Sequence, residues 1–471
     1  MNPSSSSRDS FSDAPPDALV SFSVVCQSSS GTDLERLRRD LSLETLKRFW
    51  PTVDVRAGVV AGLKRLGFEV FDGTSPVVAA RGTVRRFEEV FGARLALKTA
   101  QRAIPGSDRV RPVTSIVLRE DSDPPSPNNI PGALLVTVAE KPDPAAPSLP
   151  QPINGFNLRL PGDIAQLTGA SATHRLSTPL GTRATGEGVV VAVVDSGFGN
   201  HPYYVEHGYR ITRVAAADVS SSPAQDDDPH GTLILAGLFA CAPDAHVVGI
   251  KYGDNPGVAL EGAMAIPGLK VVSLSWGYDL EGKKALPSSP VDLLPLQVII
   301  LTLISNGVTV VASAGNGQTC FPAMMPEVIA VGGVDVDAAD ALAAWDGGSS
   351  FLSAIFKGRG VPDLCGLAAR MMLPIPAVPA DPGPPPLPAS PAGWASVPGG
   401  TSLATCQVAG VAALLLQKDP TLTPRNVRAA LMSTSTDVVA GQTASKHAAG
   451  PGPDLATGSG FVNALTAWNS V

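Results

Sequence analysis

The sequence predicts an α/β protein in which a parallel sheet carries helices on both faces, preceded by a small α+β domain. From Gly188 onward, continuous apolar runs of strand length alternate with helical segments. Such runs are typical of parallel strands that are buried on both faces and joined by helical crossovers. Before about residue 140 the apolar runs are shorter and follow another order. A length of 471 residues also favours two domains over one.

Composition excludes several classes of partner. The chain has 44% hydrophobic residues and a net charge of -7, so we expect no nucleic acid and no anionic membrane as its partner. Its five cysteines form no C-x-x-C pair, and neither a zinc site nor a disulfide framework is predicted. The most apolar window, residues 293–313, is interrupted by Pro295, Gln297 and residues 305–307, which predicts a buried helix, a turn and a strand rather than a membrane span.

The N-terminal part predicts a tail and a small domain. Residues 1–17 are rich in Ser, Asp and Pro and are expected to be disordered. They lack a secretory pattern, which favours a cytoplasmic location and leaves secretion as the alternative. Residues 18–140 predict strand, helices, two strands, helix and strand, which is the outline of a ferredoxin-like α+β domain. The segments are 18–25, 33–48, 55–66, 68–71, 77–81, 83–91 and 133–139.

A linker separates this domain from the larger one. Residues 141–185 begin with a Pro- and Ala-rich stretch that predicts an extended chain, followed by weak helical character. Residues 186–471 then carry the alternating pattern, with strands predicted at 189–194, 245–251, 269–275, 308–313 and 327–334, and helices at 232–239 and 291–305. On such sheets, active sites gather at the carboxyl ends of the strands.

Four polar residues stand at such ends or at helix starts. Asp195 follows a buried strand, His230 precedes an apolar helix, and Asn316 lies in a Gly-flanked turn after another strand. Ser402 follows two glycines and opens an Ala-rich helix, whose free amides favour negative charge beside its hydroxyl, as acyl transfer requires. Each residue by itself is more often structural: a strand end, a helix start, a turn or an N-cap.

Together, and in this order, these motifs resemble the subtilisin-type (subtilase, S8-type) serine peptidases. The resemblance covers residues 186–471 and implies a subtilisin-like sheet and a serine endopeptidase acting on proteins or peptides as a monomer. Ser402 would be the nucleophile, His230 the general base and Asp195 its orienting partner. Asn316 and the Ser402 backbone N–H would bind the oxyanion. No cofactor is needed for this chemistry.

The same resemblance implies a substrate-binding edge that pairs with an extended peptide. Its residues would be Ser273, Leu274, Ser275, Trp276 and Gly277, together with Ala314 and Gly315.

The motifs also depart from the family pattern. Cys406 and Gln407 stand where proline and histidine are usual, and Pro229 and Leu233 replace common neighbours of the histidine. None of these changes removes a catalytic atom. A pseudoprotease that binds peptides without cutting them is the alternative, if Cys406 distorts the Ser402 turn.

Residues 63–70 and 80–92 resemble the activation propeptide of sedolisin-type (kumamolisin-like, S53-type) peptidases. This implies that residues 18–140 act as chaperone and inhibitor of their own catalytic domain, so that the protein is made as a zymogen. An accessory binding domain is the alternative. Sedolisins use acidic residues and work in acid, whereas the His230 motif favours neutral pH. An acid-acting sedolisin-like peptidase is therefore a further alternative.

Three other segments carry expectations. Asp437-Val438 and Asp454 resemble the sedolisin calcium loop, which implies a structural Ca²⁺, with a plain loop as the alternative. Residues 372–397 are Pro-rich and predict a surface loop. The acidic run 226–228 predicts a solvated loop, with a role in binding basic groups or a cation as the alternative.

Overall fold

The computed structural model describes residues 10–103, 110–144, 157–226, 228–280, 290–353, 355–377 and 392–471. Residues 1–9 of the predicted tail lie outside these ranges, as do residues 145–156 of the predicted linker and residues 378–391 of the predicted Pro-rich loop. The described residues form an N-terminal domain and a larger α/β unit. None of their helices is both long and apolar enough to cross a membrane.

The N-terminal domain contains the predicted succession of elements. Its strands are β1 (Ser10–Asp13), β2 (Leu19–Cys26), β3 (Glu69–Phe71), β4 (Val77–Thr83), β5 (Leu95–Ala103), β6 (Val110–Leu118) and β7 (Ala133–Val138). Its helices are α1 (Leu34–Asp40), α2 (Val53–Arg65) and α3 (Val84–Phe91), with 3₁₀ turns at Leu46–Phe49 and Pro127–Asn129. An antiparallel sheet in the order β3-β4-β2-β7 packs against α2 and α3 through Phe22, whose ring is 5.0–5.4 Å from those of Phe68, Phe87 and Phe91.

Three features of this domain differ from what the sequence predicts. Strand β1 lies inside the segment expected to be disordered, because Ser10–Asp13 pair with the free edge of β5 and the backbone bonds outweigh the polar composition. A second sheet, β1-β5-β6, was not predicted. Its strand β5 mixes charged and polar residues with alanine and lacks a clear apolar alternation. The helix predicted over 33–48 is divided into α1 and a 3₁₀ turn.

The α/β unit is built around a sheet in the order β10-β11-β9-β12-β14-β16 within the described residues. These strands are parallel; β20 adds a parallel pair to β16, and β17 pairs with it antiparallel. The strands are β8 (Asp143–Pro144), β9 (Val190–Asp195), β10 (Ile211–Ala215), β11 (His246–Lys251), β12 (Leu269–Leu274), β13 (Trp276–Asp279), β14 (Thr309–Ser313), β15 (Cys320–Phe321), β16 (Ile329–Val336), β17 (Leu342–Ala344), β18 (Phe351–Leu352), β19 (Gly360–Val361), β20 (Leu364–Leu367), β21 (Ala369–Ile375) and β22 (Gly393–Gly399).

The helices of this unit include the two that were predicted. They are α4 (Gly162–Leu167), α5 (Ala170–Thr173), α6 (Pro202–Glu206), α7 (His230–Cys241), α8 (Pro256–Met264), α9 (Leu294–Ser305), α10 (Thr401–Lys418), α11 (Pro424–Ser433) and α12 (Ala464–Ser470), with a 3₁₀ turn at Val291–Leu293. The segment predicted as a Pro-rich surface loop is partly a hairpin, because its described flanks belong to β21 and β22, which pair antiparallel.

Both faces of the sheet are covered, as predicted. In β9, Val191 and Val193 join the core cluster of α7 and α10, whereas Ala192 and Val194 join the cluster of α8 and α9. Successive side chains of a strand point to opposite faces, so this alternation places a helical layer on each side.

Glycines set the close packing of α7 on α10. A Cβ atom on Gly237 would lie 2.9 Å from the carbonyl oxygen of Leu403, and one on Gly410 would lie 2.7 Å from that of Leu238. Only glycine permits such an approach of two helix backbones. The contact fixes the relative position of the N-termini of α7 and α10, where His230 and Ser402 lie.

The N-terminal domain docks on α8 and α9. Leu37, Phe49 and Val77 belong to the same buried cluster as the side chains of these helices. Glu261 of α8 accepts hydrogen bonds from the backbone N–H groups of Thr74 (2.9 Å) and Ser75 (3.4 Å). The interface is therefore both apolar and hydrogen-bonded.

Candidate active site

Asp195 and His230 form a buried pair at the carboxyl end of the sheet. Strand β9 ends at Asp195, whose Oδ1 atom lies 2.8 Å from Nδ1 of His230, the first residue of α7. Burial disfavours the imidazolium, but the charge and the hydrogen bond of Asp195 outweigh it, so the pKa of His230 is raised above 6.5. Nε2 of His230 is buried and has no partner among the described residues. A histidine held at one nitrogen and free at the other suits proton transfer.

Ser402 is the second residue of α10 and lines the same pocket as His230. Its hydroxyl donates to the carbonyl oxygen of Ser275 at 3.1 Å, and the hydroxyl of Ser275 donates back to the Ser402 carbonyl at 3.0 Å. A rotation about the Ser402 side chain is therefore needed to form a bond to Nε2 of His230. Catalytic hydrogen bonds are often long or misaligned before substrate binds.

Asn316 presents a free amide beside this serine. Its Oδ1 atom accepts from the backbone N–H of Thr401 at 2.9 Å and from the Thr401 hydroxyl at 3.0 Å. These two bonds fix the orientation of the side-chain amide. Nδ2 is buried, and no described residue accepts from it. An unpaired buried donor is costly, so its presence next to the free amides of a helix N-terminus indicates a binding position for an oxyanion.

The substrate-binding residues predicted from sequence divide into two groups. Ser273 and Leu274 are buried inside β12, between β9 and β14, and do not form an edge. The prediction that they form one was wrong, because an edge strand and the strand before it look alike in sequence. Ser275 joins β12 to β13. Trp276 and Gly277 begin β13, which lies between β15 and β8. The Trp276 side chain is buried and donates to the Val194 carbonyl at 2.7 Å.

The remaining two predicted residues lie in the turn after β14. Ala314 is buried and donates its N–H to the Val331 carbonyl. Gly315 has φ +109 and donates to the Thr401 hydroxyl at 3.3 Å. Its conformation is one that side-chain-bearing residues rarely adopt. This turn aims Asn316 at the start of α10.

Strand β13 already carries a partner from the same chain. Strand β8 of the linker pairs with it antiparallel, with Pro144 opposite Trp276 and Asp143 opposite Gly277. The Tyr278 hydroxyl also donates to the Glu140 carbonyl at 2.7 Å. The segment that follows the N-terminal domain thus lies in the position that an extended peptide would occupy.

The two unusual residues after Ser402 leave α10 regular. The helix continues from Thr401 to Lys418. Cys406 lies one turn after Ser402, with its sulfur 3.6 Å from the Ser273 hydroxyl, and burial raises the pKa of its thiol to about 12. Gln407 holds β20 by accepting from the Leu367 N–H and donating to its carbonyl, both at 2.9 Å. The local distortion on which the pseudoprotease alternative depends is not seen.

Sequence analysis missed Asp226. The acidic run was expected to be solvated, but Asp226 is only 5% exposed and accepts from Ser196 and Thr232. Asp228 is half-buried, and Asp227 lies outside the described residues. No local signal marked it, because a capping carboxylate usually stands directly before the helix and Asp226 lies four residues ahead of α7.

The predicted calcium residues do not fit an ion site. Asp437 accepts from the Gly452 N–H, and Asp454 accepts from the N–H groups of Gly450 and Thr457. Val438 is buried beside them. Both carboxylates thus hold the loop together through backbone donors, and the described part of the chain contains no cluster of three His, Cys, Asp or Glu side chains suited to a metal.

Comparisons with known proteins agree with this arrangement. The family model described as "Subtilase family" matches residues 186–458, more than half of the chain. Subtilisin E of Bacillus subtilis (strain 168) is 30% identical over 278 residues, which are 54% of this chain and 61% of that protein. Subtilisin of Bacillus pumilus is 28% identical over 278 residues, covering 54% of this chain and 85% of the relative.

A solved structure shows the same fold. Fervidolysin from Fervidobacterium pennivorans, a keratinolytic enzyme related to subtilisin, matches with a TM-score of 0.53 and 19% identity over 96% of this chain and 61% of its own. The fold and the grouping of Asp195, His230, Asn316 and Ser402 define a subtilisin-like α/β protein. The chain belongs to the subtilase family. The likeness of residues 20–145 to sedolisin propeptides stays a prediction.

Proposed function

We propose that this protein is a serine endopeptidase that hydrolyses peptide bonds through Asp195, His230 and Ser402. The observation that carries the proposal is the buried Asp195–His230 pair with a free Nε2 atom, in one pocket with the hydroxyl at the start of α10. The subtilase match covers all three residues. Neither a metal nor a cofactor has a role in the steps below.

The chemistry follows from these positions. Ser402 turns from the Ser275 carbonyl to Nε2 of His230, which takes its proton as the hydroxyl attacks the scissile carbonyl. The oxyanion accepts from the Ser402 N–H and from Nδ2 of Asn316. Asp195 stabilises the imidazolium, which then protonates the leaving amine. Water then attacks the acyl-enzyme in the same way, with His230 as base, and the carboxylic acid product leaves as Ser402 regains its proton.

We also infer that the N-terminal domain keeps the enzyme as an inactive zymogen. This inference is supported by the antiparallel pairing of β8 with β13. A chain segment in that position excludes an extended substrate from β13. The apolar interface on α8 and α9 and the Glu261 contacts hold the domain in this place. Maturation would cut within the linker C-terminal to Pro144, and the freed domain would inhibit the enzyme until it is degraded.

The experiment compares the full chain with its Ser402→Ala and His230→Ala variants near neutral pH. Each is followed by intact mass and by labelling with a fluorophosphonate, which reacts with activated serines. We expect the unaltered chain to lose a fragment ending shortly after residue 144 and to gain one label. Both events should be absent in the variants.

Mixing the unaltered chain with the Ser402→Ala variant distinguishes cutting within a molecule from cutting between molecules. An intact and unlabelled chain, also after removal of the N-terminal domain by another protease, would contradict the proposed activity. Labelling without loss of the fragment would contradict the zymogen alone. Labelling that survives His230→Ala would argue against the histidine as base.

A further inference from the structure

Asp226 is a buried carboxylate behind the proposed triad that the mechanism above does not use. It lies in the loop before α7, four residues ahead of His230. Its Oδ1 atom accepts from the Ser196 hydroxyl at 2.6 Å. Its Oδ2 atom accepts from the backbone N–H of Thr232 at 2.7 Å and from the Thr232 hydroxyl at 2.6 Å. One carboxylate therefore joins the end of β9 to the start of α7.

These bonds cap the helix that carries the base. The residue before α7, Pro229, offers no side-chain cap. The N–H of Gly231 instead donates to the Ser196 hydroxyl oxygen at 3.3 Å, and the N–H of Thr232 donates to Asp226. Free amides at a helix start need such acceptors, and a negative charge there is favoured by the helix dipole. The placement of the first turn of α7 thus depends on Asp226 and Ser196.

Ser196 stands between two carboxylates. Its hydroxyl oxygen is 2.6 Å from Oδ1 of Asp226 and 3.1 Å from Oδ1 of Asp195, and the Asp228 carbonyl oxygen lies 3.0 Å away. A hydroxyl has one proton and donates to one acceptor at a time. The shortest distance places that proton on the Asp226 side. Asp195 then receives the Ser196 backbone N–H at 2.8 Å and the His230 ring.

We propose that Asp226 is a positioning residue for the catalytic base: it fixes the start of α7 and draws the Ser196 hydroxyl away from Asp195. This inference rests on the proposed function of the same site. When Asp226 carries a proton on Oδ1, that proton is donated to the Ser196 oxygen, and the Ser196 hydroxyl turns to its two other acceptors, the Asp228 carbonyl at 3.0 Å and Oδ1 of Asp195 at 3.1 Å. At Asp195 it competes with the His230 N–H for Oδ1, which weakens the base.

The surroundings of Asp226 make this exchange relevant near neutral pH. Burial raises the pKa of Asp226 to about 7 against the opposing effect of its hydrogen bonds, and the nearby charge of Asp195 adds to the rise. The other ionisable groups described around it include His230 on α7, Tyr204 on α6, Asp228 in its own loop and the buried Lys251 on β11, whose Nζ donates to the carbonyl of the neighbouring Gln225 at 2.8 Å. A single hydroxyl therefore links Asp226 to the Asp195–His230 pair.

The test uses Asp226→Asn, Ser196→Ala and the double variant, all in the full chain after maturation. An asparagine keeps an oxygen for the Thr232 N–H, but its amide donates to Ser196 and so imitates the protonated carboxyl. We expect kcat to fall about tenfold with KM unchanged, the effect of roughly one hydrogen bond. The pH profile of kcat should lose an ionisation, and fluorophosphonate labelling should slow in parallel. The double variant should lose no more than Asp226→Asn, because both act through the same hydroxyl.

Asp228→Asn is the matched comparison. It removes a negative charge that also raises the pKa of His230. The backbone carbonyl of Asp228, and not its side chain, accepts from the Ser196 hydroxyl among the described contacts. We expect this variant to shift the pH profile and to leave the kcat plateau unchanged.

Three results would overturn the inference. A wild-type kcat and pH profile in Asp226→Asn would do so, as would losses of Asp226→Asn and Ser196→Ala that simply add. A fall in kcat that only follows a fall in the folded fraction would show a structural role. If the unaltered chain fails to label, the proposed function falls together with this inference, whereas normal labelling with unchanged variants overturns the role of Asp226 alone.

Discussion

Replacing Asn316 by alanine removes the side-chain donor proposed for the oxyanion. The amide is buried without an acceptor, and it is aimed by the two bonds from Thr401 to its Oδ1 atom. Such a donor contributes mainly in the transition state, where the negative charge develops. We therefore expect kcat to fall about 100- to 1,000-fold, or about 2.7–4 kcal/mol, with little change in KM. This is the range for the loss of an oxyanion-hole asparagine in subtilisin.

Two further variants separate donation from positioning. Asn316→Asp keeps an oxygen for the two Thr401 donors but loses the N–H groups, so we expect kcat to fall at least as far as with alanine. Thr401→Val removes one of the two bonds that orient the amide, at 3.0 Å. A neutral hydrogen bond is worth about 0.5–1.5 kcal/mol, which corresponds to a loss of about 2- to 12-fold in kcat.

The assay is steady-state hydrolysis of a peptide substrate, combined with thermal unfolding of each variant. Asn316→Ala also leaves the N–H and hydroxyl of Thr401 without their acceptor, so some loss of stability is expected beside the loss of kcat. A folded Asn316→Ala variant with unchanged kcat would refute the assignment. An increase in KM without a change in kcat would also refute it, because it would show that the amide binds the substrate in the ground state and not the oxyanion of the transition state.

Three other outcomes are expected. The rate should fall as pH drops through the pKa of His230, which Asp195 raises above 6.5, because only the neutral imidazole accepts a proton; a pH–rate profile without that ionisation would favour an acid-acting enzyme. Gly410→Ala should lower the free energy of unfolding in urea by about 1–3 kcal/mol. Gly262→Ala, in a helix with open space around it, should instead raise it by about 0.4–1 kcal/mol; equal effects would contradict the close helix contact. A chelator should leave the midpoint of thermal unfolding unchanged. A lower midpoint would indicate that the loop 437–454 binds calcium.

Much of the fold could be predicted from local pattern. The five predicted parallel strands and the helices α7 and α9 are present, since an apolar run buried on both faces looks the same wherever it pairs. The N-terminal succession was also predictable from its short apolar runs, and in the structure the Thr83 hydroxyl caps α3 by accepting from the Arg86 N–H. Helix boundaries were less certain, as the division of the segment 33–48 illustrates.

What could not be predicted depends on contacts between distant parts of the chain. The sheet β1-β5-β6 has little apolar alternation and forms through backbone pairing. Ser273 and Leu274 lie inside the large sheet rather than on an edge, because β12 pairs with both β9 and β14, and it is β13 that receives β8.

The sequence alone thus determined the class of the fold and the order of Asp195, His230, Asn316 and Ser402, because strands, turns and helix starts are marked by neighbouring residues. Only the tertiary structure decided which acceptors these groups have. It alone buried Asp226 behind the Asp195–His230 pair and placed β8 on β13. Burial and pairing are properties of surfaces that meet across hundreds of residues, and composition within a segment does not encode which surface will cover it.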